Sequence, residues 1–128
     1  MKVAVSSTGG GVGDSVDQRL GRCAWFVVVD TETAQVDAFE NPNGALGSGA
    51  GIQTAQMLAS KGIDAILTGN CGPNAFAALD AAGIRVCIGI SGSVAEAVER
   101  FRKGDVESTL SPNVGSHFGM GTADNASQ

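Results

Sequence analysis

The sequence is poor in the residues that support several common kinds of function. Its 128 residues contain one His, one Trp and no Tyr, so there is little material for an aromatic stacking surface. Eight Lys and Arg are outnumbered by thirteen Asp and Glu. The resulting net charge of −5 disfavours the phosphate backbone of a nucleic acid as a partner. This balance still permits a local basic site.

Cysteine and long apolar runs are also scarce. Cys23, Cys71 and Cys87 are an odd number of thiols without a C-x-x-C pair, which excludes a disulfide framework and a zinc-site spacing. The pattern predicts no signal peptide and no transmembrane run. We therefore expect a cytoplasmic protein with reduced thiols and no membrane partner.

Glycine is abundant, with nineteen residues, which indicates many turns or close backbone approaches. Periodicity and turn signals predict strands over residues 2–6, 25–29, 35–39, 63–68 and 84–88, and helices over residues 50–61, 73–82 and 94–103. The second and third strands form a hairpin, and the later βα units are parallel. We therefore expect a ribonuclease-H-like three-layer α/β fold with a mixed five-stranded sheet and helices on both faces.

The turn around Cys71 is the first candidate site. An apolar run ends in Gly-Asn-Cys-Gly, and Pro73 then begins a helix, a position at which proline is favoured. Ligands bind at the carboxyl ends of strands in open α/β sheets, and helix N-terminal amides favour an anion. A helix N-terminus also lowers the pKa of a thiol, so Cys71 is expected to be activated. The alternative is that Cys71 only packs in the core.

A glycine-rich loop, residues 7–14, follows the first strand. It carries neither the G-x-G-x-x-G pattern of dinucleotide-binding proteins nor the Gly-Lys-Ser/Thr of a P-loop. It is compatible with a nest of backbone amides that binds an anion, and the alternative is an ordinary surface loop.

Two arginines, Arg19 and Arg22, precede the second strand. The planar, weakly hydrated guanidinium group suits an extended anion such as a thiometallate. The alternative is that both arginines only pair with the nearby carboxylates of Asp14 and Asp17.

Three sequence blocks carry a resemblance to a known family. Residues 19–23 (Arg-Leu-Gly-Arg-Cys), 50–55 (Ala-Gly-Ile-Gln-Thr-Ala) and 68–73 (Thr-Gly-Asn-Cys-Gly-Pro) resemble motifs of the nitrogenase iron–molybdenum cofactor accessory (NifX-like) family, most of all its orange-protein branch. Leu20 stands where the family usually has an aromatic residue. The resemblance implies a ribonuclease-H-like fold, no established catalytic activity, and a molybdenum–copper sulfide cluster held without covalent attachment.

The resemblance and the residue chemistry together define a candidate site. Its cofactor-binding residues are Ser7, Thr8, Gly9, Gly10, Gly11, Arg19, Arg22, Gly51, Asn70, Cys71 and Gly72. Cys71 is the first candidate metal ligand because thiolate suits soft metals, followed by Cys23 and by His117 in the tail. Cys87 lies in a buried strand pattern and is expected in the core.

The expected function is that of a non-enzymatic carrier or assembly scaffold for a molybdenum-containing metal–sulfur cluster. A carrier of iron–sulfur or iron–molybdenum cofactor precursors is one alternative, and a thiol-dependent redox enzyme using Cys71 is another. A nuclease is excluded because Ser6 and Ser7, rather than acids, end the central strand. The cluster would pass between unidentified donor and acceptor proteins.

The domain organisation follows from a change of composition. Residues 1–104 form the cluster-binding domain, and residues 105–128, rich in Ser, Gly and Asn, are expected to be a flexible tail. We expect a monomer or a weak dimer.

Overall fold

The computed structural model of the protein describes residues 1–43 and 50–106. They form a five-stranded sheet and three helices in the predicted order. The elements are β1 (Lys2–Ser7), β2 (Trp25–Asp30), β3 (Val36–Glu40), α1 (Ala50–Ser60), β4 (Ala65–Leu67), α2 (Pro73–Ala81), β5 (Arg85–Cys87) and α3 (Val94–Arg102). Strands β4 and β5 are shorter than predicted, while β1 extends to Ser7.

The sheet is mixed, with the strand order β3-β2-β1-β4-β5. Strand β1 is central, antiparallel to β2 and parallel to β4. A short hairpin joins β2 to β3, whereas helices make the crossovers to β4 and β5, which explains why only the latter pairs are parallel. The carboxyl ends of β1, β4 and β5 therefore lie at one edge of the sheet, which we call the carboxyl edge.

Helices cover both faces of the sheet. Helices α1 and α2 bury Leu58 and Leu79 against Phe26 and Ile66 on one face. Helix α3 buries Val94 and other small apolar residues on the opposite face. Alternate residues of β1 and β2 belong to the two clusters, as the two-residue period of a strand requires. The predicted mixed sheet with helices on both faces is confirmed, and the likeness to ribonuclease H stays a prediction.

Local signals fix the helix ends. Gly62, Gly83 and Gly104 have φ values of 73°, 77° and 79°, the left-handed conformation that glycine adopts without strain after a helix. Ser93 and Glu96 exchange hydrogen bonds in the predicted capping box at the start of α3. No helix among the described residues is long and apolar enough to cross a membrane.

The edge strand β3 is more exposed than its two-residue pattern predicts. Only Phe39 is half-buried, where its ring lies 5.7 Å from that of Phe26 and under the ammonium of Lys61. The remaining residues of β3 are exposed.

Candidate functional site

The predicted site residues lie around the carboxyl edge of the sheet. The glycine-rich loop leaves β1 there, the turn containing Cys71 leaves β4, and α2 begins at Pro73 with Gly72 as its N-cap. The segment that carries Arg19 and Arg22 leads into β2 at the same edge. This convergence results from topology, because β2 runs antiparallel to β1 and β4 runs parallel to it.

Residues 16–20, which we call the strap, lie across the ends of β1 and β4. The Ser6 hydroxyl at the end of β1 donates to the Asp17 carbonyl oxygen at 2.7 Å, and the Asp17 N–H donates to the Ser6 carbonyl oxygen at 2.8 Å. The Asn70 side-chain amide donates to the Gln18 carbonyl oxygen at 3.0 Å. The strap therefore occupies the space in which an open α/β sheet usually holds its ligand.

Gly69 makes this close approach possible. A Cβ built on Gly69 would lie 2.8 Å from the Cα of Gln18, closer than side chains tolerate. Arg19 and Asn70 also form an isolated parallel bridge beside this contact. The strap therefore lies directly against the turn at Gly69, and ligand binding at this turn stays a prediction.

The two arginines have different surroundings. The Asp17 side chain, only 8% exposed, lies 3.3 Å from the Arg19 Nε, and the Arg19 side chain is 66% exposed. The Asp17 carboxylate also accepts the Arg19 backbone N–H at 2.9 Å. Arg22 is exposed, and among residues 1–43 and 50–106 no carboxylate forms an ion pair with it. Of the two arginines, Arg19 is therefore paired with a carboxylate, whereas Arg22 has no ion pair with a described carboxylate.

In the glycine-rich loop, the Asp14 carboxylate accepts a backbone hydrogen bond from the loop itself. The Gly11 N–H donates to the Asp14 carboxylate at 2.9 Å, and a Cβ on Gly9 would lie 2.5 Å from the same oxygen. The Thr8 N–H donates to the Ser15 carbonyl oxygen, and the Gly9 N–H to the Ser7 hydroxyl. Gly10 lies against the Trp25 ring. The Asp14 carboxylate thus accepts one amide of this loop, the Thr8 and Gly9 amides have other acceptors, and an anion-binding nest here stays a prediction.

The three thiols are all buried, and the prediction of an activated Cys71 is wrong. Burial raises the pKa of the Cys71 thiol from 9.0 to about 12, the opposite of the expected effect of the helix N-terminus. Burial also raises the pKa of Cys23 to about 12, with the Asp17 carboxylate adding to the shift. Cys87 is in the core, as predicted, and burial raises its thiol pKa as well. All three are therefore neutral near pH 7.

Cys23 anchors the turn that carries Arg22. Its thiol donates to the Leu20 carbonyl oxygen at 3.3 Å. The Asn41 side-chain amide donates to the carbonyl oxygens of Gly21 at 3.2 Å and Cys23 at 3.0 Å, on either side of Arg22. Leu20, the departure from the usual aromatic residue, is 3% exposed and belongs to the core. Asn41 was not singled out in the sequence, and the available signal was its place two residues after the predicted strand 35–39.

Gly51 lies where α1 meets α2. A Cβ on Gly51 would lie 2.8 Å from the Cβ of Ala75, so the glycine permits a close contact between the two helices. One turn further along α1, the fully buried Thr54 hydroxyl has no hydrogen-bond partner among the described residues. Thr54 was not singled out in the sequence, although it lies within the second block of the family resemblance.

The described site residues thus divide into two groups. Those at the surface or partly accessible there are Thr8, Gly9, Gly10, Gly11, Arg19, Arg22, Gly51, Asn70 and Gly72, and those that are buried are Ser7, Cys23 and Cys71. Among the described residues no group of three or more His, Cys, Asp and Glu could hold a metal ion. His117 and the tail from residue 107 onwards lie outside the described residues.

Comparison with known proteins identifies the family to which this chain belongs. The family described as "Dinitrogenase iron-molybdenum cofactor" matches residues 1–104. The chain belongs to this family. The apo form of the orange protein from Desulfovibrio gigas is 44% identical, with a TM-score of 0.86 over 88% of this chain and 96% of that one. The predicted family membership and the predicted likeness to the orange protein are confirmed.

Two further members of the comparison are more distant. A putative NifB protein from Thermotoga is 34% identical, with a TM-score of 0.74 over 88% of this chain and 98% of that one. An uncharacterised protein from Methanocaldococcus jannaschii is 30% identical over 91 residues, which is 69% of this chain and 77% of that protein. The dinitrogenase iron-molybdenum cofactor family is associated with cofactor binding rather than with catalysis, so this chain has a metal-cluster carrier or accessory role.

Proposed function

We propose that this member of the dinitrogenase iron-molybdenum cofactor family is a non-enzymatic carrier or assembly scaffold for an anionic molybdenum-containing metal–sulfur cluster. The cluster is its cargo, a molybdenum–copper sulfide, and is held without a covalent bond to the protein. Donor and acceptor proteins exchange it at the exposed side of the strap.

The observation that carries this proposal is the separation of positive charge from thiols. Arg19 and Arg22 are exposed, whereas Cys23 and Cys71 next to them are 0% and 1% exposed and protonated near pH 7. A ligand that approaches from solvent therefore meets guanidinium groups and polar backbone before it meets sulfur. Such a surface favours binding through charge and N–H···S contacts over ligation by thiolate.

The chemistry of these residues fits the proposed cargo. A thiometallate is bulky, soft and multiply charged, and the planar guanidinium fork offers several donors without a strong hydration shell to remove. Asp17 fixes the Arg19 guanidinium from behind, which leaves its remaining N–H groups directed away from the carboxylate. Arg22 supplies charge with no described carboxylate to compete for it.

Two other functions remain to be tested against this one. A carrier of iron–sulfur or iron–molybdenum cofactor precursors would use the same arginines, because those clusters are anionic as well. A thiol-dependent redox enzyme would need an accessible thiolate, and the burial of Cys71 and its pKa of about 12 oppose that chemistry.

The decisive experiment is anaerobic reconstitution of the apo-protein with tetrathiomolybdate and copper(I), followed by desalting, a visible spectrum and metal analysis. The proposal expects retained colour with stoichiometric molybdenum and copper. Colour that washes away from protein shown by circular dichroism to be folded would overturn the molybdenum–copper proposal. Parallel samples with iron and sulfide then test the precursor alternative.

A further inference from the structure

An apolar groove of about 340 Å³ lies between helix α3 and the hairpin formed by β2 and β3. Val29 and Val98, both buried, contribute to its lining, and so do Val12 and Val36, both exposed. Three large apolar side chains are exposed among the described residues, so two of the three line this one groove. Exposed apolar side chains gathered in a groove favour a segment that covers them.

The groove exists because α3 is too narrow for the sheet beneath it. Five strands about 4.8 Å apart are about 19 Å wide, whereas a helix is about 10 Å wide, and α3 is the one helix on this face among the described elements. Val29 and Val36 are paired across β2 and β3 and therefore point to the same face. Val29 belongs to the cluster that α3 covers, whereas Val36 on the edge strand stays exposed.

The last described residues lie next to this groove. Arg102, which ends α3, is part of the groove lining. Gly104, with a φ of 79°, then turns the chain, and the Asp105 N–H donates to the Arg100 carbonyl oxygen at 2.9 Å. Val106 packs against the same cluster that α3 covers. The described chain therefore ends on the face that carries the groove, four residues after a residue that lines it.

The residues that follow have the length that the groove requires. Helix α3 has nine residues and is therefore about 14 Å long. An extended segment covers that distance in about four or five residues. Leu110 and Val114 come four and eight residues after Val106, so both are within reach of the groove.

The composition of these residues suits the groove as well. No Asp, Glu, Lys or Arg occurs between residues 108 and 123. The rim of the groove carries the carboxylates of Asp30, Glu32 and Glu99. An uncharged segment with apolar side chains therefore covers the valines without bringing a like charge to this rim.

We propose that residues 107–114 bind in this groove of their own chain, with the side chains of Leu110 and Val114 covering Val36. Covalent attachment gives the segment a high effective concentration at the groove, so a shallow apolar surface is sufficient to hold it. The inference goes beyond the proposed carrier function and does not depend on it. It departs from the expectation that the whole of residues 105–128 is a flexible tail.

The test is a double-mutant cycle on the full chain, measured as the free energy of unfolding in urea. The segment variant is Leu110→Ser/Val114→Ser, and the groove variant is Val36→Ser. Both are expected to lose stability, and together they should lose less than the sum of the two losses, because each removes the same contact. Ile52→Ser is the matched control, since Ile52 is 40% exposed against 45% for Val36 but lies outside the groove, and its loss should add to that of the segment variant.

A second measurement shows where the segment binds and to which chain. In ¹H–¹⁵N spectra, the segment variant is expected to shift the amide resonances of Val36 and Ala95 and to leave that of Met57, in α1 on the opposite face, in place. These shifts should not change when the protein is diluted. Additive losses with Val36→Ser, equal coupling with Ile52→Ser, or unmoved groove resonances would overturn the inference. Groove resonances that move on dilution would overturn it too, because a second copy would then be the occupant.

Discussion

Asp17 and Arg19 form a pair in which a buried carboxylate fixes an exposed guanidinium. The carboxylate accepts hydrogen bonds from the Arg19 backbone N–H at 2.9 Å and from its Nε–H at 3.3 Å. Both hydrogen bonds join residues that are only two positions apart. Because Asp17 is buried, loss of Arg19 would leave its charge without that partner, which is costly. Arg19 therefore has a structural role in the strap in addition to any role in binding, whereas Arg22 has no such tie among the described ion pairs.

This difference makes Arg22→Ala the cleaner test of the cargo site. We expect Arg22→Ala to weaken retention of the reconstituted cluster on the order of tenfold with little change in thermal stability, because an exposed charge is removed. Arg19→Ala should weaken retention and also lower the unfolding temperature. The measurement is a desalting series with molybdenum analysis beside a thermal melt.

Arg85→Ala is the control for the arginine variants. Arg85 is exposed at the start of β5, at the opposite end of that strand from the carboxyl edge, and its removal changes net charge by the same amount. If Arg85→Ala weakened retention as much as Arg22→Ala, the effect would be one of overall charge, and the proposed position of the site would be wrong.

The close contact between Gly51 and Ala75 predicts that a methyl group added at residue 51 lowers the free energy of unfolding. Gly51→Ala would stabilise an ordinary helix interior by up to about 1 kcal/mol. Here the added Cβ would lie 2.8 Å from the Ala75 Cβ, and we expect a net loss of about 1–3 kcal/mol in the free energy of unfolding, measured by urea titration.

Ala75→Gly provides the complementary variant. It removes the Cβ that the new methyl group would meet, so the double variant Gly51→Ala/Ala75→Gly should lose less stability than the sum of the two single variants. Gly13→Ala is the control, because a Cβ at Gly13 meets nothing within 4 Å. Strictly additive losses would show that the two positions do not contact each other.

The parts of the fold that depend on local chemistry could be predicted from the sequence. The capping box at Ser93, Pro73 at the start of α2, and Gly62 and Gly83 after their helices each act within a few residues, so the printed order of residues is sufficient to place them. The mixed character of the sheet also followed, because a short hairpin joins antiparallel strands and helical crossovers join parallel ones.

The environment of the candidate site depends on contacts between distant residues, and the sequence did not predict it. Gln18 contacts Asn70 and Ile90, which are 52 and 72 positions away, and these contacts place the strap over the strand ends. The burial of Cys71 follows from the same packing. A rule about helix N-termini is local, so it predicted a lowered thiol pKa where desolvation by the tertiary structure dominates.

The buried hydroxyl of Thr54 predicts a stabilising substitution. Within residues 1–43 and 50–106 its Oγ1 has no hydrogen-bond partner, and a buried polar atom without a partner costs free energy. We expect the isosteric Thr54→Val to raise the free energy of unfolding by about 1 kcal/mol in chemical denaturation. Thr54→Ser, which keeps the hydroxyl and removes a buried methyl group, should lower it. A destabilised Thr54→Val would mean that an ordered water satisfies the hydroxyl.

The raised thiol pKa of Cys71 predicts how stability depends on pH. An unfolded thiol loses its proton near pH 9, whereas the folded protein holds the Cys71 proton until about pH 12. The contribution is complete below about pH 9 and is lost as the pH rises through this window, by up to about 1.4 kcal/mol per pH unit. Cys71→Ala should therefore lose less stability than the wild type between about pH 8 and about pH 10.5.

Urea titrations at the two pH values measure this difference, with Ile66→Val as the control. Ile66 lies in the same buried cluster and has no titrating group, so Ile66→Val should be less stable at both pH values but fall in parallel with the wild type. If Cys71→Ala also fell in parallel with the wild type, the thiol would titrate at the same pH in the folded and unfolded chains. Cys71 would then be accessible as a thiolate, and its exclusion as a ready metal ligand would have to be withdrawn.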